Sequence, residues 1–158
     1  MAGRPHAPKP YGFGTQTGAL REWSEAVERL SSSRNYWLGT VRPDGRPHAT
    51  PVWAVWVEDA LYFDGHPDTR WNRNLAANPE LCVHLESADE VLILEGRAES
   101  LNTDALLAQK IVEEWQRKYG QFSPDPAGGG INRFRPRTAR AFKSNLSDAT
   151  RWEFGGSS

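Results

Sequence analysis

Residues 46–57 limit the possible folds more than any other part of the chain. They read RPHATPVWAVWV and follow Pro43-Asp44-Gly45, a turn sequence in which proline presets φ and glycine tolerates a positive φ. From Val52 onwards both alternating sets of side chains are apolar, whereas a strand with one solvated face alternates apolar and polar residues. We therefore expect a strand covered on both faces, by a barrel interior on one side and by a helix, a partner subunit or a ligand on the other.

Short segments on both sides of residues 46–57 are also typical of strands. They are rich in branched and aromatic residues, and they comprise 35–41, 61–64, 81–86 and 91–99, with 138–143 and 149–154 as candidate closing strands. In 81–86 the alternation places Leu81, Val83 and Leu85 inward, and Gly96 in the next segment indicates a bulge or a close backbone approach. Five or six short antiparallel strands predict a mainly β fold, a small barrel with packed helices.

Two segments show the periodicity of amphipathic helices, one before the first strand and one after residues 91–99. The apolar face of the first helix consists of Leu20, Trp23, Val27 and Leu30. The apolar stripe of the second helix consists of Leu107, Ile111, Trp115 and Tyr119. Asn102 or Thr103 is expected to cap the second helix, because short polar side chains accept the free backbone N–H groups of a first turn.

The length and the composition of the chain indicate one domain with extensions. The chain has 158 residues, which is enough for a single hydrophobic core. Residues 1–17 contain three prolines and three glycines and are predicted to form a mobile or draped N-terminal tail. Residues 18–154 are expected to form the single domain, and 155–158 a disordered end.

The charge and the residue types argue against several classes of protein. A net charge of −1 gives no basis for binding nucleic acid or an anionic membrane over the whole surface. The single cysteine, Cys82, excludes an internal disulfide framework and fits a reducing cytoplasm. The sequence shows no apolar run of about 18 residues and no signal peptide, so we expect a cytoplasmic protein. Seven tryptophans favour a buried core, an interface or a flat ring-shaped ligand.

Motifs that carry chemistry by themselves are missing from the sequence. It contains no nucleophile elbow, no phosphate loop and no dinucleotide-binding glycine pattern. The four histidines lack the spacing of a zinc motif, so no metal site is predicted. No close pair of carboxylates suggests acid–base catalysis, and no catalytic residue is assigned. An enzyme with this sequence would take its reactivity from a cofactor.

Residues 65–75, GHPDTRWNRNL, form the best candidate for a binding site. They follow an apolar strand and enter a helix that must end before Pro79. Asp68 or Thr69 is expected to be the N-cap, its side-chain oxygen accepting a backbone N–H of the first turn. Arg70 and Arg73 can project from one side of this helix, whose N-terminus attracts anions. The segment therefore predicts a phosphate site; the alternative is a capped surface helix with two solvated arginines.

Five blocks of sequence are more informative together than separately. They are YWLGTVRPDGRPHATPVW, ALYF, TRWNRNLAANP, VHLES and VLILEGRAE, and they span roughly residues 34–99. In their order and spacing they resemble the pyridoxamine-5′-phosphate-oxidase-like family, whose members are FMN- or deazaflavin-binding split barrels. Near the C-terminus, ATRWEF is similar to a segment of actinobacterial members, many of them assigned to the deazaflavin coenzyme F420. The resemblance implies a six-stranded antiparallel split barrel that forms a homodimer, with two cofactor sites at the subunit interface.

The resemblance also implies which residues would contact the cofactor phosphate. Thr69, Arg73 and Asn74 match family positions that line the phosphate, and Arg70 is a plausible additional contact. The family commonly has a lysine where this chain has Trp71, which supplies one neutral donor and no charge. Trp71 stays among the cofactor-binding candidates. Either Arg70 compensates for the missing charge with its forked guanidinium, or the site binds its cofactor weakly, binds another molecule or is vestigial.

A second set of residues matches the strand that lies along the isoalloxazine or deazaflavin ring. This set consists of Pro51, Val52 and Trp53, and for each of them the alternative role is packing in the barrel core. Trp152 matches a C-terminal segment that extends towards the site of the partner subunit, and packing at the interface is the preferred role for this residue.

Three functional hypotheses follow from the residues and the resemblance. The first is an oxidoreductase that transfers hydride between reduced coenzyme F420, or alternatively FMN, and a small organic substrate. The second is a non-catalytic carrier of the same fold that binds a flavin, haem or a similar flat anionic ligand. The third is a structural domain with a degenerate site. The oxidoreductase is the leading hypothesis, whereas Trp71 and the lack of acid–base residues are the features that favour the carrier.

Overall fold

The computed structural model describes residues 2–7, 18–144 and 146–155. In this part of the chain there are eight strands and three helices. Their order is α1 (Trp23–Ser32), β1 (Tyr36–Val41), β2 (Pro47–Val52), β3 (Ala54–Val57), β4 (Ala60–Phe63), α2 (Arg70–Ala77), β5 (Glu80–His84), β6 (Glu90–Leu101), α3 (Ala105–Tyr119), β7 (Ile131–Lys143) and β8 (Thr150–Glu153). Most of the expected N-terminal tail, residues 8–17, and residues 156–158 of the expected disordered end lie outside the described residues.

The strands form one antiparallel sheet that curls into a split barrel. The strand order is β2-β1-β5-β6-β7-β4-β3, and β8 pairs with β7 beside this path. The two ends of the path, β2 and β3, are separated in the chain by the single residue Trp53. The sheet must therefore bend round until its two edges meet at this residue. The predicted class, a mainly β split barrel with packed helices, is confirmed.

The expected number of six strands was wrong. Residues 46–57 do not form one continuous strand, because the chain leaves β2 at Trp53 and changes partner from β1 to β4. The segment 149–154 contributes β8, and 138–143 is the second half of the long strand β7. A periodicity of two residues continues through such a change of partner, so the sequence pattern does not show the break.

The prediction that the strand after Val52 is covered on both faces is confirmed. Ala54 and Trp56 join the main core inside the barrel, whereas Val55 lies in a second apolar cluster beneath α3. The covering element on the outer side is thus a helix of the same chain. The largest side chains that are fully buried include Tyr36, Tyr62, Phe63, Phe134 and Trp152.

The two predicted amphipathic helices exist, but one cap differs from the expectation. In α1, Ala26 and Leu30 are buried and Trp23 and Val27 are partly buried, so the helix packs its apolar face on the main core. The apolar stripe of α3 packs on the outer side of β3. The N-cap of α3 is Asp104 rather than Asn102 or Thr103, and its carboxylate accepts the N–H of Leu107 at 2.9 Å.

The first described residues lie along the last strand of the sheet. Ala2 pairs with Phe154, and His6 pairs with Arg151 through two backbone hydrogen bonds of 2.8 and 3.0 Å. These contacts cover the outer edge of β8. In the described ranges no helix has the length and hydropathy that crossing a membrane requires.

Candidate functional site

The loop before α2 is held in place by the helix that follows it. The Asn72 side chain donates to the carbonyl oxygen of Gly65 at 3.1 Å, and the N–H of Thr69 donates to the carbonyl oxygen of His66 at 3.0 Å. A Cβ atom on Gly65 would lie 2.4 Å from the Trp71 ring, so glycine is required for this close packing. The loop therefore delivers the chain to the N-terminus of α2 in a defined position.

Thr69 occupies the N-cap position of α2, but its side chain does not make the expected capping bond. No side-chain hydrogen bond caps this helix, and the Thr69 Oγ1 atom is buried with no hydrogen-bond partner. The expectation that Asp68 or Thr69 accepts a first-turn N–H was therefore wrong. The hydroxyl of Thr69 and the first N–H groups of α2 are left for another partner.

Two further buried polar atoms without a partner belong to the elements that meet at this helix. Asn74 is fully buried; its Nδ2 donates to Thr40 Oγ1 on β1 at 3.0 Å, while its Oδ1 has no partner. Arg42 follows β1 directly, and its Nε is buried and unpartnered. A buried polar atom that makes no hydrogen bond costs about 1–3 kcal/mol. Thr69 precedes α2, Asn74 lies on it, and Arg42 follows β1, the strand that Asn74 contacts; the region around these three atoms is the candidate ligand site and is called the recess below.

The recess is rich in positive charge. Arg42, Arg70 and Arg73 have no carboxylate within ion-pair distance in the part of the chain that the structure describes. The pKa of the Asp44 carboxyl is lowered mainly by its hydrogen bonds from Arg46, and further by the charges of Arg42 and Arg70. These two arginines thus lie near the same turn. Together with the positive end of the α2 dipole they make the recess suited to an anion.

The structure separates Trp71 from the other predicted phosphate contacts. Its indole is only 6% exposed and packs against Phe63 at a ring distance of 5.4 Å, inside the main core. Arg73 is exposed, Arg70 is half-buried, and Asn74 faces β1. Thr69 is the N-cap of α2, and Arg70, Arg73 and Asn74 lie on it with different exposures, whereas Trp71 is a core residue.

The three predicted ring contacts point in different directions. Val52 pairs with Tyr36 and lies on the same face of the sheet as Thr40, whereas Pro51 pairs with Trp37 and lies on the opposite face. Trp53, at the break between β2 and β3, stacks on Tyr119 with 4.4 Å between the ring centroids and 3° between the planes. Only Val52 lies on the face that α2 contacts.

A polar cluster at the C-terminal end of α3 fixes the backbone at the break. Lys118 Nζ donates to the Tyr36 hydroxyl at 2.6 Å and to the Ala54 carbonyl oxygen at 3.0 Å. The Tyr119 hydroxyl accepts the Ala54 N–H at 2.9 Å and donates to the Arg34 carbonyl oxygen at 2.8 Å. Burial lowers the pKa of Lys118 to about 8 and raises that of Tyr119 to about 12. This cluster holds the residue that follows Trp53.

Arg42 was missed in the sequence because it belongs to an ordinary turn motif. Its place beside α2 depends on the packing of that helix against β1, which no local pattern predicts. Among the described residues, no group of three or more His, Cys, Asp or Glu side chains could hold a metal ion.

The described residues form a split barrel in which unpartnered buried polar atoms and arginines without an ion pair lie near the start of one helix, α2. The family model for pyridoxamine 5'-phosphate oxidase matches residues 23–143, well over half of the chain, so the chain belongs to that family. No curated protein matches the chain significantly.

Solved structures share the fold at low sequence identity. An F420 reductase is 24% identical, with a TM-score of 0.53 over 71% of this chain and 94% of that chain. An FMN-binding protein related to pyridoxamine 5'-phosphate oxidase, from Nostoc punctiforme PCC 73102, is 18% identical, with a TM-score of 0.57 over 84% and 90%. HutZ, the haem storage protein from Vibrio cholerae, is 19% identical, with a TM-score of 0.58 over 74% and 91%. At these identities the similarities show the fold alone.

Proposed function

We propose that the protein is an oxidoreductase that transfers hydride between reduced coenzyme F420, or alternatively FMN, and a small organic acceptor. One observation carries the proposal: Thr69 Oγ1 and Asn74 Oδ1, at the start of α2 and on it, are buried without a partner, and Arg70 and Arg73 of the same helix have no ion pair among the described residues. A flavin or deazaflavin phosphate with its sugar-alcohol chain carries the acceptors and hydroxyl donors that such a recess lacks. Membership of the family supports this choice of ligand.

In this proposal the residues of the recess anchor the phosphate end of the cofactor. Arg70, Arg73 and Arg42 supply positive charge, and the Thr69 hydroxyl donates a hydrogen bond. Asn74 Oδ1 accepts one from a hydroxyl of the ligand. The bound cofactor supplies the hydride chemistry, and the chain positions the ring and excludes water. No described side chain is assigned as a proton donor.

The absence of the family lysine at Trp71 is compensated within the recess. A charge-assisted contact is worth about 1.5–3 kcal/mol, so its loss alone would weaken binding by tenfold or more, at about 1.4 kcal/mol per tenfold. In this proposal Arg42, whose charge acts on the same turn as that of Arg70, supplies the charge that Trp71 cannot. The preference for coenzyme F420 over FMN rests on the resemblance of residues 149–154, and the similarity of fold to an F420 reductase agrees with it.

A homodimer is part of this proposal. The outer face of β1, β2 and β5 carries Pro51, Trp37 and His84, and the rings of Trp37 and His84 stack with 8° between their planes. The helices contact this sheet region elsewhere: α2 packs on the opposite face, beside Thr40. An apolar sheet face of this kind fits a second copy of the chain. A cytoplasmic location is proposed as well, supported by the unpaired Cys82.

The cofactor site is tested by removing two of its charges. Replacing Arg70 and Arg73 by alanine should weaken binding of coenzyme F420 or FMN at least about tenfold, because charge-assisted hydrogen bonds to the phosphate are lost. Isothermal titration calorimetry with each cofactor measures this change. The matched control replaces Lys110 and Arg117 by alanine, since both are exposed on α3 and the net charge changes equally.

Two results would contradict the proposal. The first is a wild-type chain that binds neither cofactor at high micromolar concentration. The second is an equal loss of affinity in the site variant and in the α3 control, which would indicate a general effect of net charge.

The second candidate function is a non-catalytic carrier for a flavin, haem or another flat anionic ligand. Trp71 favours this function, because a buried, uncharged side chain stands at the position of the usual lysine. The similarity of fold to a haem storage protein agrees with it. Turnover separates the two candidates. A bound cofactor whose absorbance spectrum never changes between oxidised and reduced forms, with any of a panel of organic acceptors, supports the carrier.

A further inference from the structure

A groove of about 830 Å³ opens in the barrel wall where β7 changes its partner. β7 pairs with β8 at residues 138–141 and with β4 at residues 132–134, so residues 135–137 border a gap between these two strands. The register between β6 and β7 shifts at Glu95 and Gly96. Gly96 pairs with Pro136, so this irregularity borders the same gap. None of the predicted cofactor-binding residues lines this groove.

The floor of the groove is aromatic. It includes Trp23, Trp56 and Phe154, with Trp23 at the centre: its ring lies 6.2 Å from Trp56 and 4.8 Å from Phe154. Both pairs meet edge to face, and Trp56 is only 7% exposed, so the floor is rigidly packed. Such a surface suits a flat ring, because aromatic pairs add favourable geometry to the burial of apolar area.

The rim on the side of β6 and β7 carries four arginines: Arg97, Arg133, Arg135 and Arg137. Arg133 is neutralised by Glu99, whereas Arg97 and Arg137 share the single carboxylate of Glu80. Arg135 has no ion pair in the described chain. This rim therefore has two positive charges in excess.

The opposite rim is less strongly charged. Glu58 in the turn between β3 and β4 pairs with Lys110. Asp59 beside it is the remaining carboxylate of the lining. The groove is thus cationic on one side only, and a ligand would place its negative charge at β7 and its ring on the floor.

We propose that this groove binds a small planar aromatic carboxylate, with the carboxylate at Arg135 and the ring against Trp23 and Phe154. The positive charge of the β7 rim favours a carboxylate on the ligand, and the aromatic floor favours a planar ring. The site is separate from the recess at α2, so the inference does not rest on the proposed cofactor.

The probe pair is 2-naphthoate and its neutral counterpart 2-naphthalenemethanol, each titrated into the full chain by calorimetry. The carboxylate should bind at least about tenfold more tightly than the alcohol, because a charge-assisted hydrogen bond is made only by the anion. Arg135→Gln should remove this preference and leave binding of the alcohol unchanged. Arg46→Gln is the matched control, since Arg46 is an exposed arginine outside the groove lining.

A second variant tests the floor. Phe154→Ala should weaken both probes, whereas Arg135→Gln weakens only the acid. Equal affinity for the two probes, or the same effect of Arg135→Gln and Arg46→Gln, would overturn the assignment of the anion site. Undiminished binding by Phe154→Ala would overturn the placement of the ring. The variant without Arg70 and Arg73 should bind 2-naphthoate normally, so failure of the cofactor proposal leaves this result unaffected.

Discussion

Gly96 occupies a position in the barrel wall that has no room for a side chain. A Cβ atom there would lie 2.1 Å from the carbonyl oxygen of Arg135 and 2.8 Å from Pro136 Cα, both backbone atoms of β7. The register between β6 and β7 shifts at this position. The prediction that Gly96 marks a bulge or a close backbone approach is confirmed, and both descriptions apply. Only glycine fits at position 96, because backbone atoms of the neighbouring strand β7 occupy the space that a side chain would need.

Gly96→Ala should lower the free energy of unfolding by about 2–3 kcal/mol, because the backbone of β7 must move to admit the methyl group. Urea denaturation followed by circular dichroism measures the loss. Gly39→Ala is the control: the nearest atom to its Cβ is Cys82 Cβ at 3.6 Å, an ordinary contact, so its effect should stay within about 0.5 kcal/mol. Similar losses in the two variants would exclude the steric explanation.

At the scale of elements, side chains at the C-terminal end of α3 fix the backbone at the break between β2 and β3. The Lys118 ammonium is held among Tyr36, Tyr119 and the Ala54 carbonyl, with its charge over both aromatic rings. Burial is the main cause of its lowered pKa, and Arg117 adds to the lowering while Glu114 opposes it. A buried cation on a helix end is thus retained where three elements meet. The cluster couples the position of Trp53 to the packing of α3.

Stability should depend on pH through this lysine. Its pKa is about 8 in the folded chain and returns to the ordinary value of 10.5 on unfolding, so the unfolded state binds more protons between these values. Stability should therefore rise from pH 8 to about pH 10, by about 1–2 kcal/mol after allowance for solvent screening. Above pH 10 it should fall, because burial raises the pKa of Tyr36 and Tyr119 and the folded state keeps them protonated.

Lys118→Met should abolish the rise and keep the fall. Urea midpoints at pH 7.5, 8.5, 9.5 and 10.5, compared between the wild type and the variant, isolate the lysine from the other titrating groups. Parallel pH profiles of the two proteins would show that Lys118 does not titrate in this range. A buried cation replaced by an apolar side chain of similar length is expected to cost little at pH 7.

For the whole molecule, the two faces of the curled sheet differ in how they are covered. Near β3 the outer face is covered by α3, where Val55 packs with Ile111 and Trp115. Around β1 the outer face carries the half-buried Trp37. The proposed homodimer would cover this second region and place two copies of the α2 recess in one assembly. The proposed dimer would thus complete the apolar pattern of the sheet.

Trp37→Glu should convert a dimer into a monomer, because a charge placed on an apolar interface is desolvated without a partner. Sedimentation equilibrium should give twice the chain mass for the wild type and the single chain mass for the variant. Leu106→Glu should leave the dimer intact, since Leu106 is 65% exposed on α3, away from β1. A monomeric wild type, or a Trp37 variant that stays dimeric, would refute the interface.

The sequence alone determined the class of fold and much of the helix that carries the candidate site. Alternation in 81–86, the doubly apolar run after Val52 and the stripe of α3 are local consequences of which faces must be buried. The phosphate candidates on α2 followed from helix chemistry and from resemblance to the family. These features depend on residues close together in the chain, so a local pattern is sufficient to predict them.

Only the tertiary structure decided which polar groups lack partners and which surfaces meet. The break at Trp53 arises because β2 and β3 pair with different strands, and the burial of Trp71 arises from packing against Phe63. Arg42 reaches the recess because α2 packs on β1, and the groove exists because β7 changes its partner. Contacts between residues far apart in the chain depend on how the sheet closes, and a local periodicity holds no information about that closure.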